Sequence, residues 1–214
     1  MNAAVKMGVL MRTVMLSAIC LGALISVGCS EQPTTAGAKK EEKAEPVTGQ
    51  TALFRMYQVA RSWASDVKIL KLSSIHLTEV PAIRGAAGAW QVVFVSAEKS
   101  AQRSYTYSVV ESEGNLHQGV FPGQPEGFSG SADAAFLINT VKVDTDAALK
   151  TALAETPVSE YNKKNPKQTI SFELSKPEGM PDPAWRVIWG ESAGTSGLSV
   201  LVDAISGKYE KTLH

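Results

Sequence analysis

The chain has 214 residues, of which 44% are hydrophobic and 20% are charged, and this ordinary globular composition excludes a chain that is disordered throughout. Twenty-one basic residues balance twenty-one acidic residues, so the formal net charge is zero. Proteins that bind nucleic acid normally carry an excess of positive charge. We therefore expect no nucleic-acid partner.

The first 28 residues have the pattern of an export signal. Lys6 and Arg12 supply positive charge ahead of an uncharged apolar run from Thr13 to Gly28. This run is shorter than the about 20 apolar residues that a membrane-spanning helix needs, which favours a cleaved signal over an uncleaved anchor. We assign residues 1–28 to a signal peptide.

The sequence ISVGC, at residues 25–29, resembles the lipobox of bacterial lipoproteins. In that family small or aliphatic residues precede a cysteine that is acylated and becomes the first residue of the mature chain; Ser26 stands where the family most often has Leu. The resemblance implies cleavage between Gly28 and Cys29 and attachment to a membrane through acyl chains on Cys29. Ser30 is not the Asp that favours inner-membrane retention in enterobacterial lipoproteins, so the periplasmic face of the outer membrane is the expected location.

Two cysteines are present, Cys20 and Cys29, and none follows residue 29. This distribution excludes a disulfide scaffold in the mature chain and a zinc site built on cysteines. The three histidines, His76, His117 and His214, are widely spaced, and no G-x-S-x-G motif occurs. We expect no metal, no cofactor and no catalytic residue, although counting alone leaves a Ser/His/Asp triad open.

Residues 30–50 contain one large aliphatic residue, Val47, and no aromatic residue. Such a segment cannot bury enough apolar surface to offset the entropy lost on ordering. We therefore predict that residues 29–50 form the acylated cysteine and a flexible tether. The run KKEEK carries nearly balanced charges, which indicates a solvated spacer rather than a basic membrane-binding patch.

The folded part is expected to begin near Thr51 and to contain two units of similar order. In the first, over residues 51–131, a helix precedes three strands. The segment from Phe121 to Ala135 is rich in proline and glycine and is predicted to be a loop. The predicted helix covers residues 51–64, and the predicted strands cover residues 67–77, 90–96 and 105–111.

The second unit, over residues 132–214, repeats this order. Asp144 or Thr145 is the expected N-cap of a helix that Pro157 kinks or ends, and a polar stretch follows to Pro166. AWRVIWG at Ala184 echoes AWQVVFV at Ala89, with tryptophans too far apart for a solenoid repeat, so we predict a tandem pair. Strands are predicted at residues 169–175, 184–191 and 198–204, with one more at 136–143 that fits either unit. The tryptophans at positions 63, 90, 185 and 189 are expected in the core.

AWRVIWGE followed by SVLVDAISGKYEK resembles the end of a PepSY domain, in which an aromatic-bearing strand precedes a strand that ends in V-D-A-x-x-G. The resemblance covers residues 146–213 and, more faintly, residues 51–120. Asp203 and Gly207 match the turn, since Asp can hydrogen-bond its own backbone and Gly can take a positive φ. In the first unit, Glu111 occupies the position that corresponds to Asp203.

The fold class predicted from these patterns is α+β, with two tandem PepSY-like units that each pack a helix on an antiparallel sheet of three or four strands. PepSY domains occur in propeptides of thermolysin-type proteases and in many envelope proteins, so the resemblance implies binding or inhibition of another protein and no catalytic residue. Open strand edges and the loops around Asp203 and Gly207 are the expected contact points.

We favour a noncatalytic, lipid-anchored envelope protein that binds another envelope or secreted protein. Inhibition of that partner is one form of this hypothesis. Two alternatives stay open. One is an envelope hydrolase whose site no motif reveals, and the other is a carrier that holds a small apolar ligand between helix and sheet.

Overall fold

A single sheet of eight antiparallel strands forms the centre of the structure, a computed structural model that describes residues 44–114 and 116–213. A separate two-stranded pairing joins β1 and β3. In chain order the elements are β1 (Val47–Thr48), α1 (Gly49–Ala60), β2 (Lys68–Ile75), β3 (Ala86–Ala87), β4 (Ala89–Ser96), β5 (Ala101–Ser108), β6 (Gly119–Gly127), α2 (Thr145–Ala154), α3 (Thr156–Lys164), β7 (Ile170–Ser175), β8 (Ala184–Trp189), β9 (Leu198–Asp203) and β10 (Tyr209–Leu213).

The sheet contains the same arrangement twice. Its strand order is β10-β9-β8-β7-β2-β4-β5-β6, so that β2 and β7 pair at the centre and each half continues outward in chain order. In the first half α1, and in the second half α2 and α3, come before four antiparallel strands of the sheet, which confirms the predicted α+β class of repeated helix-and-sheet units. The predicted boundary between the units lies between residues 131 and 132, but the pairing of β2 with β7 joins both halves in one continuous sheet. Residues 44–213 belong to one compact unit.

One face of the sheet is apolar and packs against the helices. Directly opposed residues on neighbouring strands point to the same face, so the cross-strand register defines rows of side chains. The central row of this face is fully or almost fully buried, beneath Leu53 and Met56 of α1 and Ala148 and Ala152 of α2. From β5 to β9 this row is Tyr105, Val92, Leu72, Leu174, Trp185 and Val202.

Two tryptophans hold equivalent positions at the starts of the two helices. Trp90 Nε1 donates to the carbonyl of Val47, at 3.0 Å, and Trp185 Nε1 donates to the carbonyl of Val143, at 2.7 Å. Each carbonyl lies two residues before the first residue of α1 or α2. Both tryptophans are fully buried, as is Trp189, whereas Trp63 is half-buried against the same core. The buried indoles therefore satisfy a polar group at each helix entry.

The amino-terminal ends of α1 and α2 meet and share their caps. The Asp144 carboxylate accepts from the backbone N–H of Thr145, at 2.7 Å, and from that of Gln50, at 2.9 Å. The Thr145 hydroxyl accepts from the N–H of Gly49, at 3.0 Å. Thr48, the N-cap residue of α1, makes no side-chain cap of its own. The start of the second helix thus caps the first helix as well as itself.

The segments between the two units differ from the prediction. Residues 121–135 were expected to form a loop, but β6 covers Gly119–Gly127, because an edge strand tolerates Pro122 and Pro125. The strand predicted at residues 136–143 is wrong: Phe136 makes one bridge to Ile69, and Ile138–Thr140 is a 3₁₀ turn. The strand β2 already pairs with β4 and β7, which leaves little room for another neighbour.

One predicted boundary needs correction, and another is confirmed. The fold begins before Thr51, since α1 starts at Gly49 and β1 covers part of the expected tether. The helical pattern does break at Pro157 as predicted: α2 ends at Ala154, and Pro157 lies in the first turn of the next helix, α3, where its missing N–H costs nothing. The polar stretch to Pro166 therefore contains a helix, which is anchored by the fully buried Val158.

Candidate functional site

The three α-helices pack on the apolar face described above, through one common core. Within residues 44–114 and 116–213, no α-helix packs on the opposite face. We call that surface the helix-free face. Part of it is buried, since Ala89 packs there with Leu77, Val80 and Leu116 in a second small cluster, and we describe the remainder as the candidate functional site.

A row of mostly polar side chains crosses the helix-free face. Its register runs through all eight strands, a width of roughly 34 Å at about 4.8 Å per strand. Only the residues contributed by β6 and β9 are apolar. From β6 to β10 the row is Phe121, Thr106, Gln91, Ser73, Glu173, Arg186, Leu201 and Lys211.

Charged side chains of both signs lie at the centre of this face. Lys71 on β2 and Glu173 on β7 form an ion pair of 2.6 Å that joins the two halves of the sheet. Arg186 is directly opposite Glu173 on β8, and its Nε donates to the Ser199 hydroxyl at 2.9 Å. The Lys71 side chain is 48% exposed, so the ion pair adds little stability. Its main effect is to position the two charges on the surface.

A notch opens at one end of the helix-free face, between the segment after β2 and the loop between β5 and β6. Its volume is about 520 Å³, and Gln91 and Thr106 of the polar row form part of its wall. The hydroxyl of Ser112 donates to the carboxylate of Glu79 across the notch. This hydrogen bond holds the pKa of Glu79 below its ordinary value. The notch therefore presents an anionic, hydrogen-bonded wall to solvent.

The histidine nearest this loop has a different partner. His117 Nδ1 lies 2.6 Å from one carboxylate oxygen of Glu111, and the other oxygen accepts from the N–H of Gln118 at 2.9 Å. The backbone N–H and then the imidazole hold the pKa of Glu111 below its ordinary value. The imidazole also lies against the ring of Phe121, with centroids 4.3 Å apart. Ser112 is thus directed to a carboxylate and not to this imidazole.

The two described residues singled out from the sequence, Asp203 and Gly207, form the turn between β9 and β10. Asp203 accepts from the N–H of Ile205, at 2.9 Å, and from the N–H and hydroxyl of Ser206, at 2.5 and 2.8 Å. Burial opposes ionisation, but these hydrogen bonds and the charge of Lys208 outweigh it, so the pKa of Asp203 lies below its ordinary value. Gly207 has a φ of 74°.

These contacts are made within the turn, so a binding role for Asp203 and Gly207 stays a prediction. The equivalent of Asp203 in the first half is Ser108 and not Glu111, because Ala184 opposes Asp203 as Ala89 opposes Ser108. The expected lipidation and cleavage residues, Gly28 and Cys29, lie outside the described residues.

Across 44–114 and 116–213, no group of three or more His, Cys, Asp or Glu side chains is placed to hold a metal ion. None of the α-helices in that part of the chain has the length and apolarity needed to cross a membrane.

Comparisons with known proteins leave the family open. No family model matches the chain, and no curated protein matches it significantly. A crystal structure of a protein from Clostridium difficile 630, described provisionally as a lipoprotein, is similar with a TM-score of 0.47 and 10% sequence identity. The similarity covers 81% of this chain and 95% of that one. Likeness at this level does not establish a shared family.

Proposed function

We propose that the protein is a noncatalytic, lipid-anchored protein of the cell envelope, and that its helix-free face binds another protein. The observation that carries the proposal is the polar row across eight strands without a covering helix. With strands of about 20 Å, the face measures roughly 700 Å², part of which the cluster around Ala89 already covers. A stable protein interface buries about 800 Å² on each partner, so one partner of ordinary size would cover the face.

The proposed anchor rests on the sequence before the fold. ISVGC and the polar segment after it resemble a lipobox and tether, and the chain enters the fold through β1 at the start of α1. Ser30 to Lys43 are 14 residues, and a flexible coil of that length would have a typical span of about 20 Å. Acyl chains on Cys29 would then keep the sheet close to a membrane surface, on the periplasmic side of the outer membrane.

The mixed charge of the face indicates which kind of partner surface would bind to it. Lys71, Glu173 and Arg186 place positive and negative groups side by side, which suits a protein surface with complementary charges better than a polyanion. The anionic notch beside Gln91 would take a basic or hydroxyl-bearing side chain of the same partner. Inhibition of a protease, which the PepSY resemblance implies, is one form that such binding could take.

Site-specific photo-crosslinking in native envelopes tests the proposal. A photoreactive residue at Gln91, which is exposed on the helix-free face, should give a discrete adduct with one partner. The matched control is Gln58, an exposed glutamine on α1, where we expect no such adduct. Ser73→Arg, next to Gln91 in the polar row, should abolish the adduct by steric overlap. Equal labelling from both positions, or labelling from Gln58 alone, would contradict the assignment of the face.

A further inference from the structure

A second cavity lies where the two halves of the fold meet. Its volume is about 360 Å³, and it is bounded by the connection between β2 and β4 on one side and by the start of β7 on the other. Leu149 of α2 and Ile170 and Phe172 of β7 provide apolar walls. We call this cavity the junction cleft. It is separate from the polar row, although His76 borders both the cleft and the notch.

The ionisable residues that line the junction cleft are all basic. They are His76, Arg84 and Lys167, and no carboxylate among residues 44–114 and 116–213 lines the cleft. In the described part of the chain none of these three belongs to an ion pair. The backbone of Asp146 touches the loop at Gly85, but its carboxylate accepts from the N–H of Ala147 at 2.7 Å. Arg84 and Lys167 thus place positive charge beside an apolar wall, and such charge attracts anions.

The local backbone does not explain why residue 84 is an arginine. Ile83 and Ala86 exchange two backbone hydrogen bonds, of 2.9 and 2.8 Å, around a two-residue turn. Arg84 and Gly85 occupy the turn with φ values of 49° and 87°. Turns of this type favour Asn or Gly, and a left-handed backbone is unfavourable for Arg. Arginine therefore stands where Asn or Gly would fit the turn better, at a position that lines the cleft.

We propose that the junction cleft binds a small amphiphilic anion, with a carboxylate held by Arg84 and Lys167 and an apolar group against Leu149, Ile170 and Phe172. A guanidinium and an ammonium are suited to a carboxylate through charge-assisted hydrogen bonds. The cavity is near the lower end of the size range of ligand pockets, which fits a short acyl or aryl chain. This site goes beyond the proposed protein-binding face and does not depend on it.

Calorimetric titration of the purified full chain tests the proposal with two probes, decanoate and 4-phenylbutanoate. We expect at least one of them to bind saturably, and its primary amide to bind at least tenfold more weakly, since the amide cannot form a charge-assisted hydrogen bond. The tighter of the two carboxylates shows whether the apolar group is acyl or aryl.

Variants at Arg84 separate binding from folding. Arg84→Asn should weaken carboxylate binding about tenfold while leaving the melting temperature equal or higher, because Asn suits the turn. Arg84→Lys keeps the charge and should bind within about threefold of the original chain. Lys167→Gln, at an exposed position, should also weaken binding. No saturable binding of either carboxylate, equal binding of the amides, or unchanged binding by Arg84→Asn would each overturn the proposal.

Discussion

Replacing Asp144 with alanine is expected to destabilise both halves of the fold at once. The substitution removes the acceptor of two backbone donors, the N–H of Thr145 and the N–H of Gln50, which begin different helices. Loss of one N-cap costs about 1 kcal/mol, so the loss of two should lower the free energy of unfolding by about 2 kcal/mol. At the size of this fold, that corresponds to a fall in melting temperature of about 4 to 8 °C.

Urea unfolding followed by tryptophan fluorescence measures this effect, because Trp90 and Trp185 lie beside the shared cap. Asp146→Ala is the matched control: it removes a carboxylate from the same first turn, but one that accepts only from the N–H of Ala147. We expect the control to cost less than half as much. Asp144→Asn keeps an oxygen acceptor and should fall between the two. If Asp144→Ala and Asp146→Ala have equal effects, the shared cap does not contribute as described.

Four further predictions concern other residues. A Cβ at Gly49 would lie 2.7 Å from Cη2 of Trp185, so Gly49→Ala should lower the free energy of unfolding by about 1 to 3 kcal/mol in urea; an unchanged midpoint would contradict the close approach. Trp185→Ala, at a fully buried indole that donates to Val143, should cost about 3 to 5 kcal/mol, and a loss under about 0.5 kcal/mol would place the residue at the surface. Asp203→Asn should destabilise the fold at neutral pH. Since the folded pKa of the Asp203 carboxyl lies below the unfolded value of about 3.9, the difference in melting temperature between the variant and the original chain should shrink as the pH falls below about 4. A difference that stays constant with pH in thermal melts would refute this. Cys29→Ala should abolish labelling with palmitate and membrane fractionation in cells, and retention of both would refute the lipobox.

The parts of the fold that the sequence predicts are those whose signal is local. The alternation of apolar and polar residues in TISFELS gives β7 and places Glu173 on the polar side of its strand. The echo between the strands of Trp90 and Trp185 gives β4 and β8, which are equivalent in the two halves. Asp144 is predicted as a cap because a short polar side chain before a helical pattern is a local feature.

The elements that sequence analysis missed depend on their neighbours. Pro122 and Pro125 argue against a strand in general, and only an edge position makes β6 acceptable. In α3 few side chains are apolar, with Val158 fully buried and Tyr161 partly buried, so the segment looks like a polar stretch in the sequence. The cap that Thr145 provides to Gly49 joins residues 96 positions apart, and no spacing rule reveals it.

The candidate site was predicted only in part for the same reason. The turn at Asp203 could be expected from VDAISG, since its hydrogen bonds stay within four residues. The ion pair of Lys71 and Glu173 exists because β2 pairs with β7, and this pairing connects the two halves. The notch and the junction cleft are formed by segments from separate parts of the chain, so their shapes follow from the topology and not from any motif.

The two outer strands of the sheet impose a limit on self-assembly. β6 carries Pro122 and Pro125, each without a backbone donor, whereas β10 contains no proline. A sheet grows into a fibre only if both of its ends accept another strand, as in head-to-tail polymers. Two copies that met through β10 would expose a proline-bearing strand at each end, and growth would stop there. Molecules crowded together on a surface could therefore pair, but they would not seed an extended cross-β filament.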